Sequence, residues 1–287
     1  MSSITAYNLQ NTKSIISFAG IDAASFLQGQ TTCDVLSLDE TNSVFGALCN
    51  PKGRVISLFH LVKCNDIFYM LLPSELCENI IKRLKMFVFR SKVNIDDVSN
   101  QFSILGVNEA LTEQLAKPFA YIRYTENDDL ALLLIQNNSI KELSSCFTIN
   151  SNNNDWENLL ISACIPEITL ETSEQFIPQM LNLDALKGIS FQKGCYTGQE
   201  VVARMHYKGS VKRRLTSYQS ASPFDTGEQL FIDDDANSIG TILNSIPVDK
   251  ETYAGLAVLK VSFSHDQEII LKKNIAITIR HPTYKLN

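Results

Sequence analysis

The chain has 287 residues, of which 45% are apolar and 20% charged, the composition of an ordinary globular protein with enough residues for about two domains. Its formal net charge of −6 argues against a general nucleic-acid-binding protein, because such proteins normally present a basic surface. No apolar run approaches the ~20 residues that span a bilayer, and the first residues lack the layout of a signal peptide, so we expect a cytoplasmic protein with no membrane partner.

The first part of the chain mixes strand and helix patterns. Apolar and β-branched runs between turn residues predict strands at 14–19, 43–49, 53–63 and 66–72. A short helix is predicted after Asp22, which we expect to cap it, and a longer helix over 73–87, where apolar residues recur at helical spacing. A weaker version of the pattern follows over 102–145, so this region indicates an α+β architecture.

The middle of the chain predicts a loop followed by two helices. The Asn-rich stretch 150–154 is typical of a loop. Beyond it we expect a helix over 155–164, with Asp155 as its N-cap, and another over 197–207.

From Val211 onward the pattern changes to short β-rich runs divided by Gly, Pro, Asp and Asn, which is typical of a small barrel or sandwich. These runs lie at 211–219, 229–232, 238–246, 252–261 and 274–280. We therefore predict a domain boundary near 208–212, with one region over 1–209 and a second over 210–287.

Seven cysteines are scattered along the chain, and no two of them have Cys-x-x-Cys spacing, so the sequence predicts neither a zinc site nor a redox dithiol. The four histidines are also dispersed, and no metal centre is expected. Most of the cysteines lie in apolar stretches and are expected to be small buried residues in a reducing compartment. Cys195 differs, because it lies in the densest run of unusual residues.

This run reads Lys193-Gly194-Cys195-Tyr196-Thr197-Gly198-Gln199-Glu200. Thr197 and Glu200 have the spacing of a capping box, in which each side chain accepts a hydrogen bond from the backbone amide of the other residue at the start of a helix. Cys195 is then expected just ahead of a helix N-terminus, where the partial positive charge favours a thiolate.

Other residues near Cys195 fit two interpretations. Lys193 and Arg204 lie close in sequence and can favour a thiolate further, and Gly194 and Gly198 permit a close approach of the backbone to a ligand or strand. On the residues alone, a buried structural cysteine at a tight turn is the alternative, and it is the commoner arrangement.

The run resembles the K-G-C-Y-x-G-Q-E signature of the YgfZ family, and an ordered match of eight residues is specific. Residues 26–35, 47–55 and 176–189 resemble further blocks of that family in the same order. The resemblance therefore extends over roughly residues 14 to 215, and the chain is identified as a member of this family.

The resemblance implies a fold similar to that of the tetrahydrofolate-binding T-protein of the glycine cleavage system (GcvT). That fold is a ring of ferredoxin-like α+β subdomains followed by a C-terminal antiparallel β-barrel. The resemblance also implies a folate-binding protein that supports the assembly or repair of iron–sulfur proteins and, through them, tRNA modification. The expected cofactor is tetrahydrofolate or a derivative, and iron–sulfur client proteins are expected partners. The acidity of the chain argues against direct tRNA binding.

The same resemblance implies roles for particular residues. Cys195 is the expected reactive thiol. Trp156 matches a family tryptophan linked to folate by its spacing to Pro166, and its flat ring suits stacking on a pterin; the alternative is that it packs in the core. Arg204 begins a basic stretch that is expected to bind the glutamate tail of folate or an acidic protein, or to form a solvated face. The stretch consists of Arg204, His206, Lys208, Lys212, Arg213 and Arg214.

The chain departs from the T-protein at two points. Where the T-protein has an acidic pair, this chain has Ser57-Leu58, so the carboxylate that prepares the folate amine is missing and aminomethyl transfer is not expected. Where relatives carry a glutamate that can pair with the pterin, this chain has Ser162, which cannot form a bidentate ionic pair. Downstream acids that can substitute for that glutamate are Glu167, Glu171 and Glu174.

Two other functions stay open. One is a non-catalytic adaptor that docks client proteins and has Cys195 at a structural corner. The other is a folate-dependent one-carbon transferase, which requires an acid other than the missing one. The reactivity of Cys195 separates an adaptor from a thiol-dependent function, because a functional thiolate labels fast at neutral pH and a structural cysteine slowly.

Overall fold

The computed structural model describes residues 4–108, 119–124, 130–137, 147–232, 237–263 and 266–286. Two compact units divide the chain. The first contains Met1–Leu48, Ser57–Asn153 and Gln192–Thr197, and the second contains Cys49–Ile56, Asn154–Phe191 and Gly198–Asn287. Cys146 and parts of the weak pattern over 102–145 lie outside the described residues. Among the described helices, none is long and apolar enough to cross a membrane.

The first unit is built mainly from strands. Its strands are β1 (Ile4–Asn8), β2 (Lys13–Ala19), β3 (Ser43–Cys49), β4 (Val55–Cys64), β5 (Ile67–Pro73), β6 (Asn94–Asp97), β7 (Phe102–Asn108), β8 (Ala120–Arg123), β9 (Leu130–Gln136) and β10 (Phe147–Asn150). Its described helices are α1 (Ala23–Gln28) and α2 (Ser74–Lys85). The four strands predicted ahead of residue 73 correspond to β2 to β5, and the longer predicted helix corresponds to α2.

The strands form two five-stranded sheets, with the orders β3-β4-β5-β2-β6 and β10-β1-β7-β9-β8. In the first sheet β2 and β5 are antiparallel, and α2 packs on β2, β5 and β6. The helix makes this contact through Leu76, Ile80 and Leu84, each of which is at most 2% exposed. The apolar spacing that predicts the helix is therefore the face that it buries.

The second unit combines two helices with a six-stranded antiparallel sheet. The helices are α3 (Asn153–Ser162) and α4 (Gln199–Lys208), and the strands are β11 (Arg213–Ser220), β12 (Gln229–Leu230), β13 (Gly240–Pro247), β14 (Tyr253–Lys260), β15 (Gln267–Leu271) and β16 (Ile275–Arg280). The strand order is β12-β13-β14-β11-β16-β15. Just beyond the two edge strands, the Lys272 amide donates to the Phe231 carbonyl at 2.9 Å, which links the sheet edges as a barrel requires.

This C-terminal sheet agrees with the β-rich pattern after Val211, but the sequence misses one strand, β15. Its core includes Tyr218, Ile242 and Ile277, each at most 1% exposed. The domain boundary near 208–212 stays a prediction.

Of two predicted helix caps, Asp22 occupies the N-cap position without the capping bond, and Asp155 is misplaced. The Asp22 side chain makes no capping hydrogen bond to α1; its carboxylate accepts instead from the Lys92 amide at 2.7 Å. Asp155 lies in the first turn of α3 rather than ahead of it, because the helix begins at Asn153. An acid in the first turn still complements the helix dipole, so the residue type is correct and the boundary is not.

The start of α4 is determined by a tertiary contact. Gly198 occupies the N-cap position with a φ of 86°, the helix begins at Gln199, and no side chain caps it, so the predicted Thr197–Glu200 capping box is wrong. A Cβ on Gly198 would lie 2.5 Å from the Asn50 carbonyl oxygen and 2.9 Å from Gly53 Cα. Glycine alone combines this left-handed conformation with so close a backbone approach, which confirms the prediction for Gly198.

We expect Gly198→Ala to lower the free energy of unfolding by about 1–3 kcal/mol, because alanine is strained at this φ and its Cβ overlaps the Asn50 carbonyl. Gly194→Ala is the matched control: nothing lies within 4 Å of a Cβ built there, so no strand approaches Gly194 closely, and the approach of a ligand stays a prediction. This variant should change stability by no more than about 0.5 kcal/mol. Urea denaturation of both variants measures the difference, and equal stabilities would contradict the role of Gly198.

A histidine is buried in the first unit without a hydrogen-bond partner on one ring nitrogen. His60, in β4, is 5% exposed, and its Nε2 atom has no partner among the described residues. Its ring stacks on Phe45 with a centroid distance of 4.8 Å and meets the edge of Tyr124 at 4.7 Å. Burial, and secondarily the charge of Lys13, lower the pKa of His60 from its usual 6.5 to about 3.

This depressed pKa makes stability depend on pH. Above pH 6.5 neither the folded nor the unfolded state binds a proton at His60, whereas between pH 6.5 and about 3 the unfolded state alone binds it. The free energy of unfolding should therefore fall with decreasing pH by up to about 1.4 kcal/mol per pH unit from this group. In His60→Gln, urea denaturation between pH 7 and 4 should show a slope reduced by that amount. Parallel curves for the two proteins across this range would contradict the assignment.

Candidate functional site

The segment that carries the cysteine is held in the first unit by its lysine. Lys193 Nζ donates to the carbonyl oxygens of Thr31 and Cys33, both at 2.7 Å, and lies 5.1 Å from the centre of the Tyr196 ring. Desolvation lowers the pKa of Lys193 from 10.5 to about 8, while the thiol of Cys33 and the carboxyl of Asp34 oppose that shift. The two carbonyls replace water around the ammonium group, and they hold the segment across the loop that follows α1.

That loop is itself held rigidly by hydrogen bonds to regular structure. The Thr31 hydroxyl donates to the Leu27 carbonyl at 2.9 Å, and Thr32 exchanges hydrogen bonds with the Ala47 backbone at 2.8 and 3.0 Å. Both threonines are fully buried. The block over residues 26–35 is therefore structural, because it supplies the carbonyls that Lys193 needs.

Cys195 is exposed between anchored neighbours. Tyr196 beside it is 7% exposed, and the Thr197 amide donates to the Gly29 carbonyl at 3.3 Å. Gly194 lies next to open space. The sulfur thus belongs to a backbone fixed on both sides, which is the arrangement that a reactive thiol needs in order to meet a second molecule.

The other described cysteines are less accessible. Four are buried and Cys64 is half-buried; the buried set is Cys33, Cys49, Cys77 and Cys164. Burial raises the pKa of Cys33 and of Cys77 to about 11 and that of Cys164 to about 12, so these thiols carry very little thiolate at neutral pH. No group of His, Cys, Asp and Glu side chains among the described residues has the geometry of a metal site.

The block over residues 47–55 acts in the second unit, in a tight turn. The Asn50 side chain accepts from the amides of Lys52 and Arg54 at 2.9 and 3.0 Å and donates to the Glu174 carboxylate at 2.9 Å. This turn is the surface that Gly198 contacts. The Glu174 carboxylate therefore already accepts a hydrogen bond from this turn. This contact competes with the suggested role of Glu174, in which its carboxylate would pair with a pterin.

The predicted folate-binding residues lie on different helices of the second unit. Trp156, on α3, is 2% exposed, as the core-packing interpretation expects. Arg204, on α4, is exposed, and so is Ser162 at the end of α3. Their contact with folate stays a prediction.

The basic stretch that begins at Arg204 is not uniform. Arg214 is buried, forms a bidentate ion pair with Asp184 at 2.6 and 2.9 Å, and donates to the Gln179 carbonyl at 3.0 Å. Arg213 donates to the Ser238 carbonyl at 3.0 Å. Charge spacing alone does not distinguish these anchored arginines from the exposed cations of the stretch.

An aromatic group also lies on α4. The His206 ring stacks on Phe191 with a centroid distance of 3.7 Å and an interplanar angle of 11°, and Tyr207 contacts both rings. No pattern in the sequence predicts this group, because Phe191 is fifteen positions from His206 and no periodicity connects them.

Uncharged side chains occupy the position at which the resemblance to the T-protein implies an acidic pair. Ser57 and Leu58 lie within β4, at 0% and 3% exposure, and the Ser57 hydroxyl donates to the Leu58 carbonyl at 3.0 Å. Neither residue can supply the proton-handling carboxylate.

Comparisons with known proteins give a consistent set of relatives. No protein-family model matches the chain. The "tRNA-modifying protein YgfZ" of Colwellia psychrerythraea is 34% identical over 238 residues, which is 74% of this chain and 72% of the relative. The protein of the same name from Photobacterium profundum is 35% identical over 253 residues, 80% of this chain and 76% of the relative, and that of Vibrio atlanticus is 32% identical over 276 residues, 90% and 85%.

Among solved structures, the glycine cleavage system aminomethyltransferase T from Bartonella henselae matches with a TM-score of 0.70 at 12% sequence identity, covering 97% of this chain and 85% of that one. This likeness confirms the predicted GcvT-like α+β fold. The identities to the curated relatives show that the chain belongs to the YgfZ family.

Proposed function

We propose that this protein acts in tRNA modification as a folate-binding protein that assists the assembly or repair of iron–sulfur proteins through the thiol of Cys195. The role in tRNA modification is supported by the names of relatives that are 32–35% identical over most of the chain. The folate ligand is supported by the fold shared with a glycine cleavage system aminomethyltransferase. A shared fold does not determine function. The proposed roles of folate and of the Cys195 thiol are therefore argued from individual residues.

The observation that carries the proposal is the exposed sulfur of Cys195 on a segment anchored by Lys193. A client protein or a sulfur-bearing group can reach this atom without unfolding of the segment. The thiol can then exchange with a client disulfide or contact a cluster transiently. Lys193 is a positioning residue in this scheme, because its ammonium group is engaged by the carbonyls of Thr31 and Cys33.

Two side chains of the second unit, Arg204 and Trp156, are the proposed contacts of tetrahydrofolate or a derivative. The Arg204 guanidinium is exposed and makes no ion pair with any described residue, so it is available to a glutamate carboxylate of the ligand. Trp156 would supply an aromatic face for the pterin or aminobenzoyl ring, from a position that is 2% exposed. When bound, folate would bring one-carbon chemistry to the site.

Aminomethyl transfer is not part of the proposal. Ser57 and Leu58 leave the first step of that reaction without its carboxylate. An adaptor function is the second candidate, and the buried position of Trp156 favours it, because a tryptophan that belongs to the core leaves the folate without its stacking partner.

Among the described cysteines, Cys195 should label fastest at pH 7.5, because Cys64 is only half-exposed with a raised pKa, and the thiols of Cys33, Cys77 and Cys164 are buried with raised pKa values. Reaction with a chromogenic disulfide, followed by mapping of the modified peptide, measures this. Cys195→Ser should remove the fast phase without changing the urea denaturation midpoint. In cells that carry this variant as their only copy, sulfur-containing tRNA nucleosides should fall. A fast phase that maps to Cys195 but normal nucleoside levels in the variant would contradict the proposed role.

Folate binding is tested by calorimetric titration with tetrahydrofolate and 5-formyltetrahydrofolate. We expect micromolar affinity, weakened about tenfold in Trp156→Phe through loss of stacking surface and in Arg204→Gln through loss of an ion pair. Lys250→Gln, in the exposed turn between β13 and β14, is the matched control for removal of a charge and should bind as the wild type does. A folded protein with no detectable binding would favour the adaptor.

A further inference from the structure

A second surface of the first unit combines exposed apolar side chains with unpaired cations. Residues 82–92 read Lys-Arg-Leu-Lys-Met-Phe-Val-Phe-Arg-Ser-Lys, with five cations and no acid in a chain whose net charge is −6. Lys82, Arg83 and Lys85 lie in the last turn of α2, where cations complement the helix dipole. Arg90 and Lys92 lie beyond the helix, so the dipole does not account for them.

The apolar residues of this segment face water. Phe89 is 89% exposed and Met86 is 64% exposed. Phe89 also has a φ of 37°, in the left-handed region that bulky side chains avoid. The fold therefore holds a large ring in solvent at a conformational cost, which is the kind of local strain found at binding surfaces.

A third apolar side chain joins them from the loop between β2 and α1. The Lys92 amide donates to the Asp22 carboxylate at 2.7 Å, and a Cβ on Gly20 would lie 2.2 Å from the Lys92 carbonyl oxygen, so the two loops are in direct contact. Ile21 between these residues is 80% exposed. We define the basic–apolar surface as Ile21, Lys85, Met86, Phe89, Arg90 and Lys92.

Two grooves border this surface. One, of about 320 Å³, lies between Lys85 and Val88 on one side and the edge strand β6 on the other. The other, of about 490 Å³, has Ile21 in its wall. Grooves of this size beside a protruding ring suit the side chains of a polypeptide, whereas a bilayer presents a flat interface.

The charges of the surface are available to a partner. Lys82 is paired with Glu78 at 2.6 Å, but no carboxylate of the described residues forms an ion pair with Lys85, Arg90 or Lys92. Three acids lie beside the surface: Asp96 in the smaller groove, Asp66 in the larger groove, and Asp22, whose carboxylate already accepts from the Lys92 amide. A binding partner that matches this pattern carries several carboxylates around one or two apolar side chains.

We propose that the basic–apolar surface docks an acidic protein segment, with Phe89 and Met86 contacting its apolar side chains and Lys85, Arg90 and Lys92 pairing with its carboxylates. Aromatic anchors surrounded by charges of one sign are typical of recognition of this kind. The inference goes beyond the proposed function and does not depend on it, because none of these residues belongs to the Cys195 segment or to the predicted folate site.

The test uses the purified full chain and a fluorescein-labelled peptide of alternating Glu and Leu with one central Phe, followed by fluorescence anisotropy. We expect binding that weakens as salt is raised, because the pairing is electrostatic. Phe89→Ser and Arg90→Glu should each weaken it about tenfold or more, as expected for an anchor and for a reversed charge. Since Phe89 is exposed, its replacement should not unfold the protein, which urea denaturation checks.

Matched controls decide whether the surface is specific. Lys250→Glu reverses an exposed charge elsewhere and should leave the affinity unchanged. The same peptide with Gln in place of Glu should bind at least about tenfold more weakly. The proposal is overturned if no peptide binds, if Lys250→Glu costs as much as Arg90→Glu, or if the Gln peptide binds equally. It is also overturned if oligouridylate or phosphatidylserine-containing vesicles bind more tightly than the peptide and lose that binding in Phe89→Ser.

Discussion

The geometry of the candidate site depends on one half-buried cation. Lys193 gives up part of its hydration and recovers it from the carbonyls of Thr31 and Cys33, so its segment can dock only where those two oxygens converge. The oxygens are fixed in turn by buried threonine hydrogen bonds to α1 and β3. The position of the exposed sulfur two residues later is therefore determined by the core of the first unit, although Cys195 itself is in contact with solvent.

Burial then separates this thiol from four of the other described cysteines. A thiolate buried without a strong partner loses its hydration, and for this reason the pKa values of Cys33, Cys77 and Cys164 lie at about 11 to 12. Selectivity for Cys195 requires no special activation under these conditions, because accessibility alone distinguishes it. An exposed thiol on an anchored backbone can exchange with a partner protein. A buried thiol could not reach that partner, even if it were activated.

The sequence predicts helices and strands well where apolar residues recur along the element. It predicts them poorly where contacts with distant residues determine how an element begins or ends. The spacing of Leu76, Ile80 and Leu84 predicts α2, and apolar and β-branched runs between turn residues predict β2 to β5. Strand β15 is missed, since Gln267 and Glu268 begin it and its two buried positions, Ile269 and Leu271, are too few to distinguish a strand from a loop. A capping bond is missed for a related reason: Asp22 occupies the N-cap position of α1, yet a backbone amide from a distant loop takes its carboxylate.

The eight-residue motif locates the candidate site in the sequence, but the contacts that hold the motif in place could not be predicted from it. Thr197 and Glu200 satisfy the spacing of a capping box, and a local interpretation has no means of excluding it. What excludes it is the Asn50–Gly53 turn, almost 150 residues earlier, which fits closely only against a residue without a side chain. Lys193 and Gly198 are thus required by two unrelated contacts. In the first unit the Lys193 ammonium group binds two carbonyl oxygens, and in the second Gly198 packs closely against the Asn50–Gly53 turn. A motif specified by both is far harder to match by chance than a helix cap, which accounts for its value in identifying the family.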